Sequence, residues 1–410
     1  MRLLHTADWH IGRVTMGIAR DEDIHAAIEE VIQIARDERP DLIVHAGDVF
    51  DSFRPAWADL HWATDKLREL AELAPTVVLA GNHDSQALFD LLQKLLGPAS
   101  RLRFVAKALP PSRGGVLEFP GHGDEVVRLA PIPFIHANRM IEQMEDPSTW
   151  MTSYADRVDL IQSALGRGLL EGYDQKRHVL LLAAHLHVTG ASFSQNDRPL
   201  HVTDTYATHY ERIPPVSYAA YGHIHRPQAL RGPVAGRFAG SAVQLDFGEV
   251  GEEKGVVIVD AAPGRPPEVS IRRLSAGRPL KRIQGTLPEI EALAPAVGRS
   301  ICQVVVRTEV PTPDLSERLA AMMPGAILDV REDCAATRVR VLTADHVSTD
   351  REPSLGELFT EYVRVRGTRA GSADRVVDTF VRLLSGVEQA EEVSFPEVES
   401  LEAPLVESAR

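Results

Sequence analysis

The chain has 410 residues, 44% hydrophobic and 25% charged, which is the composition of an ordinary soluble protein with room for two or three domains and a large buried core. No apolar run is long enough to span a bilayer, and Met1 to Asp8 reads as a strand without the charged-then-apolar pattern of a secretion signal, so a cytoplasmic protein is expected. A net charge of −14 argues against a nucleic-acid partner, because phosphate binding usually leaves a basic footprint, unless divalent cations or a basic partner offset it.

Leu3 to Ala7 is the first of five short apolar runs, each followed at once by a polar cluster rich in Asp, His or Asn. The others are Leu42 to Ala46, Val77 to Ala80, Val179 to Ala184 and Ala219 to Tyr221. Short bounded apolar runs read as buried strands. Between the first two, Ile24, Ala27, Ile28, Val31, Ile32 and Ala35 recur at helical spacing; before the third, Pro55 can open a helix carrying Leu60, Leu67 and Leu70. Alternation of strand and helix predicts an α/β domain, and helical crossovers favour parallel strands. Ligands of such sheets collect beyond the carboxyl ends of the strands, so clusters that follow separate strands can converge on one site.

Around Arg272 to Leu287 the pattern changes to a linker with Gly and Pro. A helix from Pro288, a strand at Ile301 to Arg307, a helix from Asp314 to Met323 and a strand near Ile327 to Arg331 then suggest a small α/β cap. Cys302 and Cys334 lack any C-x-x-C spacing and read as small buried residues. After Pro353 come two amphipathic helices, one with Leu355, Leu358, Phe359 and Tyr362, the other with Val376, Val377, Phe380, Leu383 and Leu384; each can pack on its own domain or dock on a partner. From Val387 to Arg410, seven glutamates against one arginine contribute −6 of the −14, the signature of a disordered acidic tail. The expected divisions are 1–272, 273–348, 349–386 and 387–410. No G-x-x-x-x-G-K-[ST] occurs, so no nucleotide is expected to bind through a P-loop.

The strand-end clusters are Asp8-Trp9-His10, Gly47-Asp48-Val49-Phe50-Asp51, Gly81-Asn82-His83-Asp84, His185-Leu186-His187 and Gly222-His223-Ile224-His225. Carboxylate, imidazole and amide oxygen suit manganese, iron or zinc. Two such ions about 3.5–4 Å apart can clamp a phosphodiester and lower the pKa of a water. Gly47, Gly81 and Gly222 suit sharp turns off strand ends, where a Cβ is unwelcome. One D-x-H is weak evidence; five clusters in order, each after a predicted strand, are strong. His5, His25, His61, His122, His136, His178, His201, His209 and His346 lack ligand spacing, His45 lies within a strand and His187 two residues beyond His185; all read as ordinary core or surface histidines, with the role of His187 left open.

On these motifs the chain resembles the calcineurin-like metallophosphoesterases over about residues 1–385. The run Ala184 to Ser192, with Gly222-His223-Ile224-His225-Arg226, Gly240-Ser241 and the Phe50 cluster, is similar to the SbcD branch, bacterial counterpart of the Mre-type double-strand-break repair nucleases. The resemblance implies a β-sandwich flanked by helices, with the small cap and C-terminal helices added. It implies a metal-dependent DNA exonuclease and endonuclease of DNA repair and recombination, associated with the nucleoid. Its cofactors would be two divalent ions, manganese expected. One would be held by Asp8, His10, Asp48 and His225, the other by Asp48, Asn82, His185 and His223. His83 would be the catalytic histidine, with Asp84 able to orient its ring, while Asp51 stands where some relatives carry a second useful histidine. Implied partners are DNA, an SbcC-type ATPase subunit and a second copy of the chain within a heterotetramer. Rival readings are a small-molecule phosphoesterase of the same superfamily and a non-catalytic scaffold for DNA ends. Phosphoprotein phosphatases of this superfamily usually show Arg-Gly after the second motif and Glu after Asn-His, where this chain has Ser52-Phe53 and Asp84.

Overall fold

A computed structural model describes residues 1–136, 154–192, 208–335 and 373–389, with isolated helical positions between 356 and 363. The first half runs β1 (Arg2–Thr6), a two-strand ribbon of β2 (Val14–Thr15) and β3 (Ile18–Ala19), α1 (Asp21–Glu38), β4 (Leu42–His45), α2 (Trp57–Leu73), β5 (Thr76–Leu79), α3 (Gln86–Leu96) and β6 (Leu102–Val105). There follow β7 (Leu117–Pro120), β8 (Val126–Ile132), α4 (Tyr154–Leu170), β9 (His178–His185), β10 (Tyr218–Gly222), β11 (Gln228–Ala229), β12 (Gly236–Phe238), β13 (Gly255–Asp260) and β14 (Glu268–Arg273). The last group is β15 (Leu280–Gly285), α5 (Leu287–Leu293), β16 (Ile301–Thr308), α6 (Leu315–Met322), β17 (Ile327–Cys334) and α7 (Ala373–Gln389).

Two six-stranded sheets, ordered β14-β13-β1-β4-β5-β6 and β11-β12-β10-β9-β8-β7, pack face to face. The inner layer is apolar from both sides: Leu3, Val44, Val77 and Leu79 meet Val127, Leu129, Leu181, Ala183 and Tyr218. The outer face of the first sheet is covered by α1, α2 and α3, whose Ile24, Ile28, Val31, Leu67 and Phe89 pack on Leu4, Ile43 and Val78. α4 covers the second sheet, with Val158, Leu165 and Leu169 against Leu180 and Leu182. Strands buried on both faces explain why the five runs are continuously apolar rather than alternating. The result is a β-sandwich flanked by helices, the expected fold class.

The five runs do not share one sheet. β1, β4 and β5 are parallel neighbours in the first, and β9 and β10 are parallel neighbours in the second. Register keeps the ends level, with Thr6 opposite His45 and Gly222 opposite His185. Both parallel sets therefore end along the same rim of the sandwich.

The stretch read as a linker between Arg272 and Leu287 instead contains β15, which pairs in parallel with β16 and buries Leu280 and Ile283. Leu280 and Ile283 point to opposite faces of the strand, so the segment shows no two-residue alternation, and Gly277-Arg278-Pro279 flanks it. α5 begins one residue before Pro288, behind a capping box in which Glu289 reaches back to Thr286. β15, β16 and β17 form a three-stranded parallel sheet under α5 and α6.

Residues from 336 onward form a unit of their own. There α7 carries Phe380 stacked on Phe359 at 3.9 Å between ring centroids, while Val376 and Leu383 are exposed. Val387 to Gln389, expected to start the acidic tail, complete α7; residues 390–410, Leu355, Leu358 and Tyr362 lie outside the described residues. Among the described residues no helix is long and apolar enough to cross a membrane.

A buried ionic clasp ties α1 to the small sheet. Arg20 and Asp23 are both buried; Arg20 Nε donates to Asp23 Oδ2 at 2.7 Å, and Arg278 donates to both Asp23 oxygens at 2.9 Å. Burial would raise the Asp23 carboxyl, but Arg278 and Arg20 hold it below the usual range. Asp23→Ala leaves Arg20 buried without its counter-ion, so the expected cost is about 3–5 kcal/mol of unfolding free energy, read from urea denaturation. An unchanged midpoint and slope would show that the clasp contributes nothing.

Candidate metal centre

The ladder between β1 and β4 continues beyond the strands: Asp8 N donates to Gly47 O at 2.9 Å, His10 N to Asp48 O at 3.2 Å, and Ile11 N to Val49 O at 2.9 Å. Asp8 and Asp48 are thereby carried forward side by side. Asp8, His10, Asp48 and His223 all adopt positive φ, between 49° and 91°. Non-glycine residues rarely do so, and the concentration of left-handed backbone at one place is the strain found where side chains are aimed at a site.

The glycines have two different reasons. Gly47 has φ +102°, and a Cβ there would also lie 2.2 Å from His185 Nδ1. Gly81 and Gly222 have ordinary φ; a Cβ on Gly81 would fall 2.0 Å from Asp48 Oδ1, and one on Gly222 2.3 Å from the Ala46 carbonyl. Close approach, rather than a turn, requires glycine at these two positions.

Around this core the predicted ligands come together. Carboxylate and ring-nitrogen atoms of Asp8, His10 and His225 lie within 4.8 Å of one another, as do those of Asp8, Asp48 and His185, and those of His10, Asp48 and His83. Asn82 Oδ1 is 3.0 Å from His185 Nε2 and 2.8 Å from His223 Nδ1. His223 N donates to Asp8 Oδ1 at 3.0 Å, linking the two sheets. Phe134 walls this side, its ring centroid 5.8 Å from His223 and 6.2 Å from His185.

Three of the imidazoles have a fixed tautomer because the far nitrogen faces an acceptor. His10 Nδ1 donates to Asp51 Oδ1 at 3.0 Å, His225 Nδ1 to Glu249 Oε1 at 3.1 Å, and His185 Nδ1 to the Ala46 carbonyl at 2.7 Å. The Nε2 atoms of His10 and His225 consequently present lone pairs to each other across 3.1 Å. Such lone pairs repel unless a proton or a cation stands with them, and imidazoles held in this way are the arrangement used for metal ligation.

Charge in the site points the same way. Burial pushes the Asp8 carboxyl up to about 6, against the pull of His185 and His225. Burial also lowers His10 to about 4, and His223 well below its ordinary value. Asp48 behaves oppositely: burial would raise it, but His185 holds it well below the carboxylate range, and Asp48 in turn lifts His185 to about 9 against the effect of burial. A proton on His185 Nε2 faces Asp48 Oδ2 at 3.3 Å and Asn82 Oδ1, so proton and cation compete for one position. Buried carboxylates, imidazoles and an amide oxygen aimed at one space fit divalent cations.

His83 lies at the edge, its N–H donating to Asp48 Oδ1 at 2.8 Å and its Nδ1 to the Asp51 carbonyl at 3.0 Å. The expectation that Asp84 orients this ring is corrected. The Asp84 carboxylate is buried on the other side, accepting from the backbone N–H of Gly81 at 2.9 Å, Phe50 at 3.0 Å and Val49 at 3.2 Å. Burial and Asp48 raise it to about 7, against those three donors. Asp84 staples the Asp48 loop to the Asn82 loop.

Sequence reasoning missed Glu249, which is wholly buried behind His225. It stands next to Glu252 and Glu253 and looks like part of a solvated acidic run; only its neighbours in space mark it. Asp51, left undecided, holds His10 and is met by Arg13 at 3.2 Å. The other histidines are mostly as expected: His5 touches Tyr218, His45 packs edge-on to Trp9, and His122 meets Asp41. His201 and His346 lie outside the described residues.

The calcineurin-like phosphoesterase family model matches residues 1–227, and a model described as the Type 5 capsule protein repressor C-terminal domain matches 276–366. Curated relatives include the SbcD subunit of the SbcCD nuclease of Bacillus subtilis, 30% identical over 68% of this chain and 71% of that protein. The Escherichia coli K12 protein of the same name is 27% identical over 94% of this chain and 98% of its own length. Among solved structures, a dimetal phosphatase from Danio rerio aligns with a TM-score of 0.41 at 10% identity, covering 67% of this chain and 96% of that one.

Gly81→Ala tests the packing of the centre, because the added methyl must displace Asp48. The expected result is a folded protein destabilised by about 1–3 kcal/mol and with manganese affinity reduced on the order of tenfold or more, read by calorimetric titration. Wild-type affinity in this variant would show that Asp48 tolerates the shift.

Proposed function

We propose that this chain, which belongs to the calcineurin-like phosphoesterase family and within it to the SbcD nuclease subunits, is a two-metal phosphodiesterase that cuts DNA. The observation that carries this reading is the convergence of Asp8 and Asp48 with the ring nitrogens of His10, His185, His223 and His225 around Asn82. Asp8, His10, Asp48 and His225 would hold one cation, and Asp48, Asn82, His185 and His223 the other, with Asp48 shared. When bound, such a pair, manganese being the expected ion, supplies charge that clamps a phosphodiester and lowers the pKa of a water.

The chain's own residues account for the rest. Asp51 and Glu249 keep His10 and His225 in one tautomer, and Asp84 keeps the two ligand loops together. The Asp51 carbonyl can only accept, so His83 Nδ1 always carries a proton and Nε2 is the position that takes or gives one. From the edge of the centre, protonated His83 can stabilise charge on the phosphate and hand a proton to a departing 3′-oxygen. Cations in this pocket also answer the acidic net charge, because they supply locally what a basic surface would.

The finer activities proposed are 3′–5′ exonuclease action on double strands and endonuclease action on single strands and hairpins. The chain would work in the cytoplasm, at the nucleoid, as a homodimer joined to an SbcC-type ATPase. Residues 1–272 would form the nuclease domain, 273–348 the cap over DNA, and 349–386 the segment bound by the ATPase. The exposed apolar positions Val376 and Leu383 of α7 favour that docking.

The test is manganese-dependent cleavage of end-labelled linear and hairpin DNA, with cyclic nucleotide and phosphomonoester substrates in parallel. His83→Ala is expected to keep metal binding and lose about 10²–10⁴-fold in cleavage, whereas Asp48→Asn loses both ions. Full activity in His83→Ala would remove its assignment. Turnover of a small phosphoester without DNA cleavage, even with an SbcC-type partner and ATP, would favour a small-molecule phosphoesterase.

A further inference from the structure

The loop from Ser241 to Lys254 does two things at once. Its Gln244 and Phe247 seat the small sheet: Gln244 Oε1 accepts from Leu280 N at 2.8 Å, and Phe247 packs with Leu280 and Ile301. Its Glu249 turns the opposite way, into the sandwich, and is wholly buried. One carboxylate oxygen, Oε1, lies 3.1 Å from His225 Nδ1. The other, Oε2, is met by Lys254 Nζ at 2.6 Å and Leu245 N at 3.2 Å, while the nearby Ser241 hydroxyl donates to the Val243 carbonyl at 2.8 Å. Lys254 is itself buried and also donates to the carbonyl of His225 at 2.8 Å.

We propose that Glu249 is a positioning residue for the metal centre, fixing the His225 ring in the tautomer and rotation that aim Nε2 at the cation, with Lys254 and the Leu245 N–H fixing Glu249. The inference rests on the two-cation reading above. An ion pair present for stability alone would leave both carboxylate oxygens to Lys254 and the backbone; here one oxygen is given to the imidazole. A carboxylate behind a ligating histidine holds its orientation and raises its basicity, and its loss typically weakens metal binding about 10–100-fold. Lys254 completes the arrangement by gripping both the carboxylate and the main chain of His225, so ring and backbone are set by the same pair. The cap-bearing loop is thereby joined to one side of the cation pair.

The experiment is manganese titration of the full chain followed by electron paramagnetic resonance, for wild type, Glu249→Ala and Glu249→Gln. Wild type is expected to bind two ions. Glu249→Ala should weaken one of them about 10–100-fold and leave the other; Glu249→Gln, whose amide oxygen still accepts from Nδ1 but whose NH2 group then faces Lys254 and the Leu245 N–H, should recover only part of the loss. A second measurement needs no variant of Glu249: ¹⁵N spectra of the histidine rings at pH 8, with diamagnetic zinc in place of manganese and the His225 signal assigned by its absence from His225→Asn, should show Nδ1 protonated and Nε2 without a proton. Two ions of unchanged affinity in Glu249→Ala, or a His225 ring protonated at Nε2, would overturn the inference alone. Fewer than two ions in wild type would overturn the two-cation reading and this inference with it.

Discussion

A carboxylate buried in a protein interior has to be matched by positive charge or by enough donors to replace water, and Asp48 is where that requirement shapes this molecule. It receives the His83 N–H, faces His185 and His10, and sits against a glycine whose smallest possible side chain would already collide with it. Its backbone is left-handed, and its loop is stapled by Asp84 to the loop carrying Asn82. A group held from so many sides has one position, and the other donors are placed relative to it.

The sandwich makes that convergence possible. Parallel strands end together, and because the two sheets pack with their parallel sets ending on one rim, β1, β4 and β5 bring Asp8, Asp48 and Asn82 to the place where β9 and β10 bring His185 and His223. The His223 N–H to Asp8 contact crosses between the sheets, so the donor set is also a seam of the fold. Strain at four left-handed residues is tolerated because the buried core around them over-determines their conformation.

Fixed tautomers are the second theme. Asp51, Glu249 and the Ala46 carbonyl each take one imidazole proton, and each sits at a different place along the chain. Three separate acceptors therefore decide which nitrogens face the centre. Glu249 brings the loop under the small sheet into this arrangement, whereas Asp51 brings in Arg13 and, through its carbonyl, His83.

Local chemistry was legible without the fold. Apolar runs of strand length, each followed by Asp, His or Asn, marked the strand ends, because a strand buried on both faces must be continuously apolar and the polar residues after it have nowhere else to go. The ligand types and the need for small residues at 47, 81 and 222 followed from the same reading. The partition of five runs between two sheets was not legible, because a helical crossover looks alike whichever sheet it returns to. β15 was hidden by glycine and proline on its flank. The true partners of Asp84 and the very presence of Glu249 depend on contacts between segments far apart in sequence: Asp84 to Val49 and Phe50, His225 to Glu249. The sequence by itself determined which polar residues follow the strands and where strands end; the tertiary structure decided which nitrogen of His10, His185 and His225 faces inward and which acceptor holds it there, since those are set by packing between segments that carry no mark of one another.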